Sequence, residues 1–386
     1  MKIGVIGYGR RMRGLLGLFD NFNVGLEVAG IADPAYAKTP VEIPPYNGKR
    51  PECLVFADAA AMLASVKPDA VMIGTRCSLH AKMAIKVLKR GLPLYLEKPV
   101  ATNRADLRAL ASAGKRSKSQ IVVSFPLRVS PLVAMAKEII DSGKIGTVES
   151  VSAWCEPPYA AVYYRDWYRD ECETGGLWLQ KATHDFDYIT FLVGSAPKSI
   201  AAMTSKTVFT GDKPAGLKCR DCGEWEECLE SPFHLFYSRG DAQKVESNDF
   251  SCMFAEDTGN ENSGRAILEY ENGVQASYTQ HFMVRRSAAR RGARVYGYKG
   301  TLEFDWYTDE LKVFMHHAPR VETYTIDSSK LSHAGGDNAL MWNFIQVVRR
   351  KAKSVSPLEA GVASVNLCLA AKESCKSRRF VDVKAV

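Results

Sequence analysis

The chain has 386 residues, of which 46% are hydrophobic and 24% charged, a composition typical of a globular protein with room for two domains. The 51 Lys and Arg residues exceed the 43 Asp and Glu residues, and the net charge of +8 could favour an anionic ligand without requiring nucleic acid. No apolar run reaches the roughly 20 residues that span a bilayer, so we expect neither a nucleic-acid nor a membrane partner.

The first residues and the cysteine content bear on the compartment. The chain opens Met-Lys-Ile-Gly-Val-Ile-Gly, which lacks the basic segment, long apolar core and cleavage site of a signal peptide. We therefore expect a cytoplasmic protein. In that compartment the ten cysteines are more readily free or metal-bound than paired in disulfides.

A glycine-rich turn follows the first apolar run, residues 2–6, and precedes a helical pattern. Two glycines in such a turn let backbone N–H groups approach a pyrophosphate at the helix N-terminus. The third glycine of the dinucleotide fingerprint, which normally allows close packing of helix on strand, is replaced by Met12. We predict that this turn binds a dinucleotide through Gly7, Tyr8, Gly9, Arg10, Arg11 and Met12.

The second predicted strand, residues 27–32, ends in Asp33. An acidic residue about 20 positions beyond the fingerprint commonly hydrogen-bonds the ribose hydroxyls of NAD. Pro34 and Ala35 follow, with no arginine beside them to hold a 2′-phosphate. The sequence therefore favours NAD over NADP, the alternative being an aspartate that only caps a turn.

Strands alternate with helices up to about residue 124, which predicts an α/β domain, 1–124, with a doubly wound parallel Rossmann sheet. An apolar run in this domain, residues 92–96, ends in Glu97-Lys98-Pro99. Ligands of open α/β sheets bind outside the carboxyl ends of the strands. Pro99 fixes its own φ angle and biases the preceding Lys98 towards an extended conformation. Lys98 is therefore held at a defined angle to that crevice. A plain surface lysine is the alternative for the triplet alone.

After Phe125 the pattern changes to an α+β domain, 125–386, that we expect to bind substrate and form oligomers. Strand patterns at antiparallel spacing, with an Asn272-Gly273 hairpin turn, predict a large and mostly antiparallel open sheet. Five arginines form a basic cluster, which we interpret as a solvated strand face or subunit contact, with an acidic sugar or phosphate site as the alternative: Arg285, Arg286, Arg290, Arg291 and Arg294.

An irregular insertion at about 205–240 contains Cys219, Cys222 and Cys228. Three cysteines this close suit a structural zinc ion with a fourth ligand from elsewhere in the chain. Free thiols or a redox disulfide are the alternatives.

With these motifs placed, the chain resembles the glucose–fructose oxidoreductase / inositol dehydrogenase (Gfo/Idh/MocA) family of NAD(P)-dependent enzymes over essentially its whole length. The resemblance rests on Gly7-x-Gly9, Asp33, Thr75 with His80, Glu97-Lys98-Pro99, Phe125-x-x-Arg128-x-x-Pro131, Gly175-Gly176 leading to His184 and Asp187, and Lys299-Gly300-Thr301-Leu302. Family members act on sugars, cyclitols and related polyols. The resemblance implies that Lys98 lies beside the nicotinamide and that His184 contacts the substrate hydroxyl. It also adds cofactor contacts from Thr75, Arg76, His80 and Glu97.

One departure concerns the position four residues before the histidine, where the family often has Asp and this chain has Gln180. Residues 180 and 184 share a helix face, so Gln180 should still point at the substrate. It carries no charge, and it would not raise the pKa of a nearby lysine as a carboxylate does. Lys181 adds a cation beside it, which leaves a simple Lys-Asp-His relay in question.

We predict an NAD-dependent dehydrogenase acting on CH–OH groups, which moves a hydride between the nicotinamide and a ring hydroxyl of a sugar, cyclitol or glycoside. His184 is the expected base and Lys98 the cation that steadies the alkoxide, although the roles could be exchanged. The expected substrate contacts are Gln180, Arg128, Trp167, Asp187 and His333.

Two other functions remain open. A tightly held NAD could oxidise the substrate transiently, as in a redox-neutral glycoside hydrolase, lyase or epimerase, or the protein could bind NAD without catalysis. The expected partners are a small sugar or polyol and further copies of the chain, in a dimer or tetramer formed through the C-terminal sheet.

Overall fold

Two sheets organise the protein. The structure, a computed structural model, describes residues 1–37, 44–235, 250–327 and 332–386, so residues 236–240 of the predicted insertion lie outside the described part. No helix within these ranges is both long and apolar enough to cross a membrane.

The first sheet has six parallel strands in the order β3-β2-β1-β4-β5-β6. Its strands are β1 (Lys2–Ile6), β2 (Glu27–Ala32), β3 (Leu54–Phe56), β4 (Ala70–Ile73), β5 (Leu94–Leu96) and β6 (Ile121–Val123). Its helices are α1 (Arg10–Gly17), α2 (Pro34–Ala37), α3 (Ala59–Ser65), α4 (His80–Leu88) and α5 (Arg104–Arg116). The predicted doubly wound sheet is confirmed. The strand order reverses between β1 and β4, and such a switch point opens a crevice at the carboxyl ends of the strands.

The second sheet has nine strands in the order β14-β13-β12-β11-β7-β10-β9-β8-β15. They are β7 (Val148–Glu156), β8 (Pro197–Ser205), β9 (Ser263–Tyr270), β10 (Gln275–His281), β11 (Arg290–Gly297), β12 (Gly300–Asp305), β13 (Glu310–Met315), β14 (Val321–Thr325) and β15 (Val381–Asp382). β7 and β10 pair in parallel, whereas the neighbouring pairs are antiparallel. The mostly antiparallel sheet and the hairpin between β9 and β10 are confirmed.

Helices pack on this sheet and between the two sheets. They are α6 (Pro131–Asp141), α7 (Val162–Arg165), α8 (Glu171–Thr174), α9 (Thr183–Val193), α10 (Pro232–Leu235), α11 (Gly336–Val348) and α12 (Leu358–Ser377). Short 3₁₀ segments cover Leu18–Phe22, Cys77–Leu79, Pro126–Val129, Trp167–Arg169, Cys219–Asp221, Arg286–Ala288 and Ser332–Gly335. A π-helical turn, Trp178–Ala182, leads directly into α9. Such turns often occur at functional sites.

The last two helices return to the first sheet. In α11, Leu340 and Phe344 are buried in one core with Ile3, and the Phe344 ring packs edge-on against Tyr95 at 5.6 Å. In α12, Leu358 packs so closely on α5 that a Cβ at Gly114 would lie 2.4 Å from it. Contacts therefore cross the predicted domain boundary at residue 125, and they hold both walls of the crevice in place.

Candidate active site

The turn after β1 is shaped for a phosphate. Gly7 has φ +81°, and a Cβ there would lie 2.7 Å from the Thr75 backbone nitrogen, so a side chain is excluded. A Cβ at Gly9 would have no atom within 4 Å, and Gly9 stands just before α1. The backbone at the start of α1 is therefore open, as the approach of a pyrophosphate requires.

The missing third glycine is compensated from the neighbouring strand. Met12 is fully buried in α1, and a Cβ placed at Gly74, directly after β4, would lie 2.8 Å from the Met12 Cε atom. The space that a third glycine would leave in the helix is thus provided by a glycine opposite it. The helix keeps its close approach to the sheet although the motif departs from the fingerprint.

Asp33 lies beside the glycine turn. Its Oδ2 atom accepts a hydrogen bond from the Tyr8 backbone N–H at 2.8 Å, and Oδ1 accepts one from the Ala35 N–H at 3.0 Å. These bonds fix the carboxylate at the carboxyl end of β2, where the ribose of a dinucleotide would lie. The Tyr8 side chain instead points into the core and donates to the Pro44 carbonyl oxygen.

Arg11 and Glu97 form an internal bridge. The Arg11 Nε atom donates to Glu97 at 2.9 Å, and its two terminal nitrogens donate to Asp337, at the start of α11, at 2.8 and 2.6 Å. Burial favours the protonated form of Asp337, but hydrogen bonds from Arg11 and His333 hold its pKa well below the ordinary value. Arg11 of α1 therefore connects Glu97, directly after β5, to Asp337 at the start of α11.

His80 supports the loop that carries Lys98. It is buried, its Nδ1 lies 2.8 Å from the Pro99 carbonyl oxygen, and its Nε2 lies 3.1 Å from that of Thr75. Burial lowers the pKa of His80, and the two carbonyl oxygens oppose that decrease. It ties the loops after β4 and β5 together.

The other predicted residue of this turn, Arg76, reaches the aromatic segment of the second half. Its guanidinium carbon lies 3.9 Å from the centre of the Trp167 ring, which stacks on Tyr168 at 4.0 Å. The stack places Trp167 at the crevice.

Lys98 bridges to the π-helical turn. Its Nζ atom donates to the backbone carbonyl oxygen of Gln180 at 2.6 Å. The pKa of Lys98 is lowered to about 8, mainly by burial. Cys77 and Glu97 oppose this decrease, and the neighbouring cations Lys181 and Arg11 add to it. The Gln180 side chain accepts a hydrogen bond from the Cys77 Sγ atom at 3.4 Å. Lys98 thus titrates just above neutral pH.

His184 lies in the first turn of α9 and is 6% exposed. Its ring contacts Phe125 and His333, with centroid distances of 5.9 and 6.1 Å. Burial, and then the charges of Lys98 and Arg291, lower its pKa well below the ordinary value, so the ring is neutral at pH 7. Its Nδ1 atom is buried without a hydrogen-bond partner. Such an atom is uncommon in a folded protein.

The remaining predicted substrate residues have partners of their own. Arg128 holds Asp187 through two bonds of 2.9 and 2.6 Å. Burial raises the pKa of Asp187 to about 6, and Arg128 opposes that rise. His333 adopts φ +48°, and its Nδ1 atom lies 2.8 Å from Asp337. The structure therefore groups His333 and Gln180 with Lys98 and His184, while Arg128 and Asp187 bind each other.

The sequence did not predict that the cations Arg291 and Lys181 are buried. Arg291 was expected on a solvated face, yet it is 6% exposed and donates to Asp185 through Nε and Nη2, both at 3.0 Å. Tyr278 also donates to Asp185. Lys181 is 4% exposed and donates to the hydroxyl of Tyr159. The alternation in β11 was the available signal, since it turns Arg291 inward when Arg290 faces out.

The predicted metal ligands do not form a site. Cys219 is buried, Cys222 and Cys228 are partly exposed, and all three thiols are free. Within the described ranges, no group of three or more His, Cys, Asp or Glu side chains is placed to hold a metal ion. The structure therefore gives no support to the metal prediction.

Two oxidoreductases share sequence with this chain. A Bacillus subtilis (strain 168) protein named YteT is 27% identical over 362 residues, which cover 84% of this chain and 83% of YteT. An inositol 2-dehydrogenase of Rhizobium meliloti (strain 1021) is 29% identical over 166 residues, which cover 43% of this chain and 47% of that protein. The match thus spans about half the length of the latter relative.

Solved structures share the fold. A levoglucosan dehydrogenase in complex with NADH superposes with a TM-score of 0.76 at 17% identity, covering 100% of both chains. The myo-inositol 2-dehydrogenase of Lactobacillus plantarum gives a TM-score of 0.70 at 18% identity, covering 100% of this chain and 99% of its own.

Two family profiles match the sequence. Residues 1–125 match the oxidoreductase family, NAD-binding Rossmann fold, and residues 137–383 match the oxidoreductase family, C-terminal alpha/beta domain. These ranges cover most of the chain and fit the two sheets. The protein therefore belongs to the Gfo/Idh/MocA family of oxidoreductases, with an NAD-binding Rossmann domain in its N-terminal part.

Proposed function

We propose that the protein is an NAD-dependent dehydrogenase that moves a hydride between the nicotinamide and a ring hydroxyl of a sugar, cyclitol or glycoside. The observation that carries the proposal is the hydrogen bond from Lys98, at the carboxyl edge of a Rossmann sheet, to the turn that leads into α9, where a neutral His184 lies in the first helical turn. Relatives named as inositol and levoglucosan dehydrogenases support the same substrate class.

The residues at the start of α1 fit NAD. Gly7 and Gly9 leave the helix N-terminus open for the pyrophosphate, and Asp33 offers a fixed carboxylate for the ribose hydroxyls. A 2′-phosphate beside that carboxylate would be repelled, so NAD is favoured over NADP. When bound, NAD supplies the hydride acceptor.

The chain's own groups handle the proton. Removal of a hydride from a carbinol carbon requires loss of the hydroxyl proton, and a base must lie within about 2.6–3.2 Å of that oxygen. Neutral His184 can accept the proton. Charged Lys98 can donate a hydrogen bond to the developing alkoxide, because its Nζ has further protons beyond the one directed at Gln180. The carbonyl of Gln180 thereby orients the ammonium.

The direct test is turnover on a panel of sugars and cyclitols with NAD. Formation of NADH, followed at 340 nm, would support a dehydrogenase. Conversion of a glycoside without net NADH would favour the redox-neutral alternative. NAD binding with no conversion of any compound would favour a non-catalytic NAD-binding protein.

We also propose that the protein forms a homo-oligomer through the outer face of the nine-stranded sheet. On this face, Ile267 of β9 and Met203 of β8 are each 57% exposed. Light scattering coupled to gel filtration tests the assembly, and Ile267→Glu should weaken it. A monomer at micromolar concentration would contradict this proposal.

A further inference from the structure

We propose that the substrate carries a carboxylate, as in a uronic acid or its glycoside, and that Lys181 and Tyr159 bind that carboxylate. This inference rests on the proposed function and specifies its substrate class. Lys181 thereby becomes a specificity residue of the site, although it takes no part in the hydride transfer.

Three buried carboxylates in this part of the structure already have cationic partners. Arg291 holds Asp185 in two bonds of 3.0 Å, Arg128 holds Asp187 at 2.9 and 2.6 Å, and Arg11 holds Asp337. Among the described residues, neither Lys98 nor Lys181 forms an ion pair with a carboxylate within 4.0 Å. In the described part of the crevice, two lysines thus lack a directly paired carboxylate.

The burial of the Lys181 ammonium is energetically unfavourable in this arrangement. Lys181 is 4% exposed, and a buried ammonium is unfavourable unless it is paired and hydrogen-bonded. Its ammonium donates a hydrogen bond to the phenol oxygen of Tyr159, and the centre of the Tyr159 ring lies 4.8 Å from Nζ. A neutral phenol and its ring compensate a buried charge only in part. The neighbouring Gln180 is uncharged, so it adds no compensation. An anionic ligand would supply what the protein lacks.

The proposed anion site adjoins the candidate reaction site through the π-helical turn. Gln180, whose backbone carbonyl oxygen accepts a hydrogen bond from Lys98 at 2.6 Å, directly precedes Lys181. The charges of Lys98, Arg291 and Lys181 all lower the pKa of His184. Tyr159 is 49% exposed and therefore borders solvent, whereas Lys181 lies inside. A sugar ring with its hydroxyl at His184 could direct a substituent to Lys181 and Tyr159. Two donors, one ammonium and one phenol, suit the two oxygens of a carboxylate better than the three of a phosphate.

The test compares D-glucuronate and D-galacturonate with D-glucose and D-galactose, and adds glucose 6-phosphate as a phosphate probe. Binding to the NAD-loaded protein is measured by calorimetry, and turnover is followed separately as NADH formation. We expect the wild-type protein to bind one of the uronates at least tenfold more tightly than its parent sugar. Lys181→Gln should reduce this ratio roughly ten- to hundredfold, the usual scale for a hydrogen bond to a charged group.

Three variants guard against a folding artefact. Lys181→Arg keeps the charge and should keep most of the preference. Tyr159→Phe removes one donor and should lose part of it. Lys82→Gln, at an exposed lysine of α4, should behave as wild type.

The outcomes separate this inference from the proposed function. Uronate binding without NADH formation would support the carboxylate site while contradicting a net dehydrogenase. NADH formation from neutral sugars with no preference for uronates would support the dehydrogenase and overturn the carboxylate site. Tighter binding of the sugar phosphate than of the uronates, or no uronate binding at all, would also overturn it.

Discussion

The Nζ atom of Lys98 lies 2.6 Å from the backbone carbonyl oxygen of Gln180, a residue 82 positions further along the chain. The bond joins the carboxyl edge of the first sheet to the π-helical turn before α9. A substrate hydroxyl that binds Lys98 must therefore approach an ammonium whose direction is already set by the second half of the chain. The two halves of the protein build this site jointly.

Removal of either predicted catalytic side chain should slow the reaction without abolishing cofactor binding. Lys98→Ala and His184→Ala should each lower kcat by roughly 10²–10⁴-fold, the scale of a lost acid–base group. NAD affinity, measured by calorimetry, should persist because neither substitution changes the glycine turn or Asp33, which are expected to bind the pyrophosphate and the ribose. Lys82→Ala serves as the matched surface control. Near-wild-type turnover in both variants would contradict the assignment.

The pH dependence of kcat/KM should distinguish the two possible roles of Lys98. If Lys98 acts as a cation, activity falls as pH rises through about 8, because the ammonium is then lost. Since the pKa of His184 is lowered, its neutral form persists at pH 7 and the acidic limb should lie well below 6.5. Lys98→Arg should move or remove the alkaline limb. Activity that increases through pH 8 would instead identify Lys98 as the base.

Cofactor preference should depend on Asp33. Asp33→Ala removes the carboxylate that repels a 2′-phosphate and that accepts the Tyr8 N–H at 2.8 Å. The ratio of NAD to NADP affinity should therefore decrease, mainly through weaker NAD binding. Titration of both cofactors measures the ratio. Tighter binding of NADP than NAD by the wild-type protein would show that this interpretation of Asp33 is wrong.

The buried Arg291–Asp185 pair should matter for stability far more than an exposed pair. Arg291→Met leaves Asp185, which is fully buried, without its bidentate partner. Breaking a buried pair in this way typically costs about 3–5 kcal/mol of the free energy of unfolding. The control Lys198→Met removes the exposed pair with Glu269 and should change the free energy of unfolding much less, because exposed ion pairs contribute little. Denaturant titration compares the two, and equal losses would contradict the prediction.

The sequence predicted both sheets because their signals are local: apolar runs, a glycine turn, and an Asn-Gly hairpin. It could not predict that Gly74 compensates for Met12, because those residues meet only after β4 pairs with β1. The same limit applies to charges. Lys181 and Arg291 are ordinary basic residues in the sequence. Only tertiary packing shows that Arg291 has a carboxylate partner and that Lys181 has none among the described residues.

A carboxylate introduced at position 180 should raise the pKa of Lys98 and weaken the preference for an anionic substrate. Gln180→Asp places a carboxylate beside Lys98 and Lys181, and an opposite charge nearby favours the ammonium form. The pKa of Lys98 should rise, so the alkaline limb of the kcat/KM profile should move above about 8. A carboxylate here would also repel an anionic substrate, so the preference for uronates over their parent sugars should decrease. Gln180→Asn, which is shortened equally but remains neutral, is the control. If both variants shift the profile and the preference equally, the effects come from side-chain length, and the electrostatic account is incorrect.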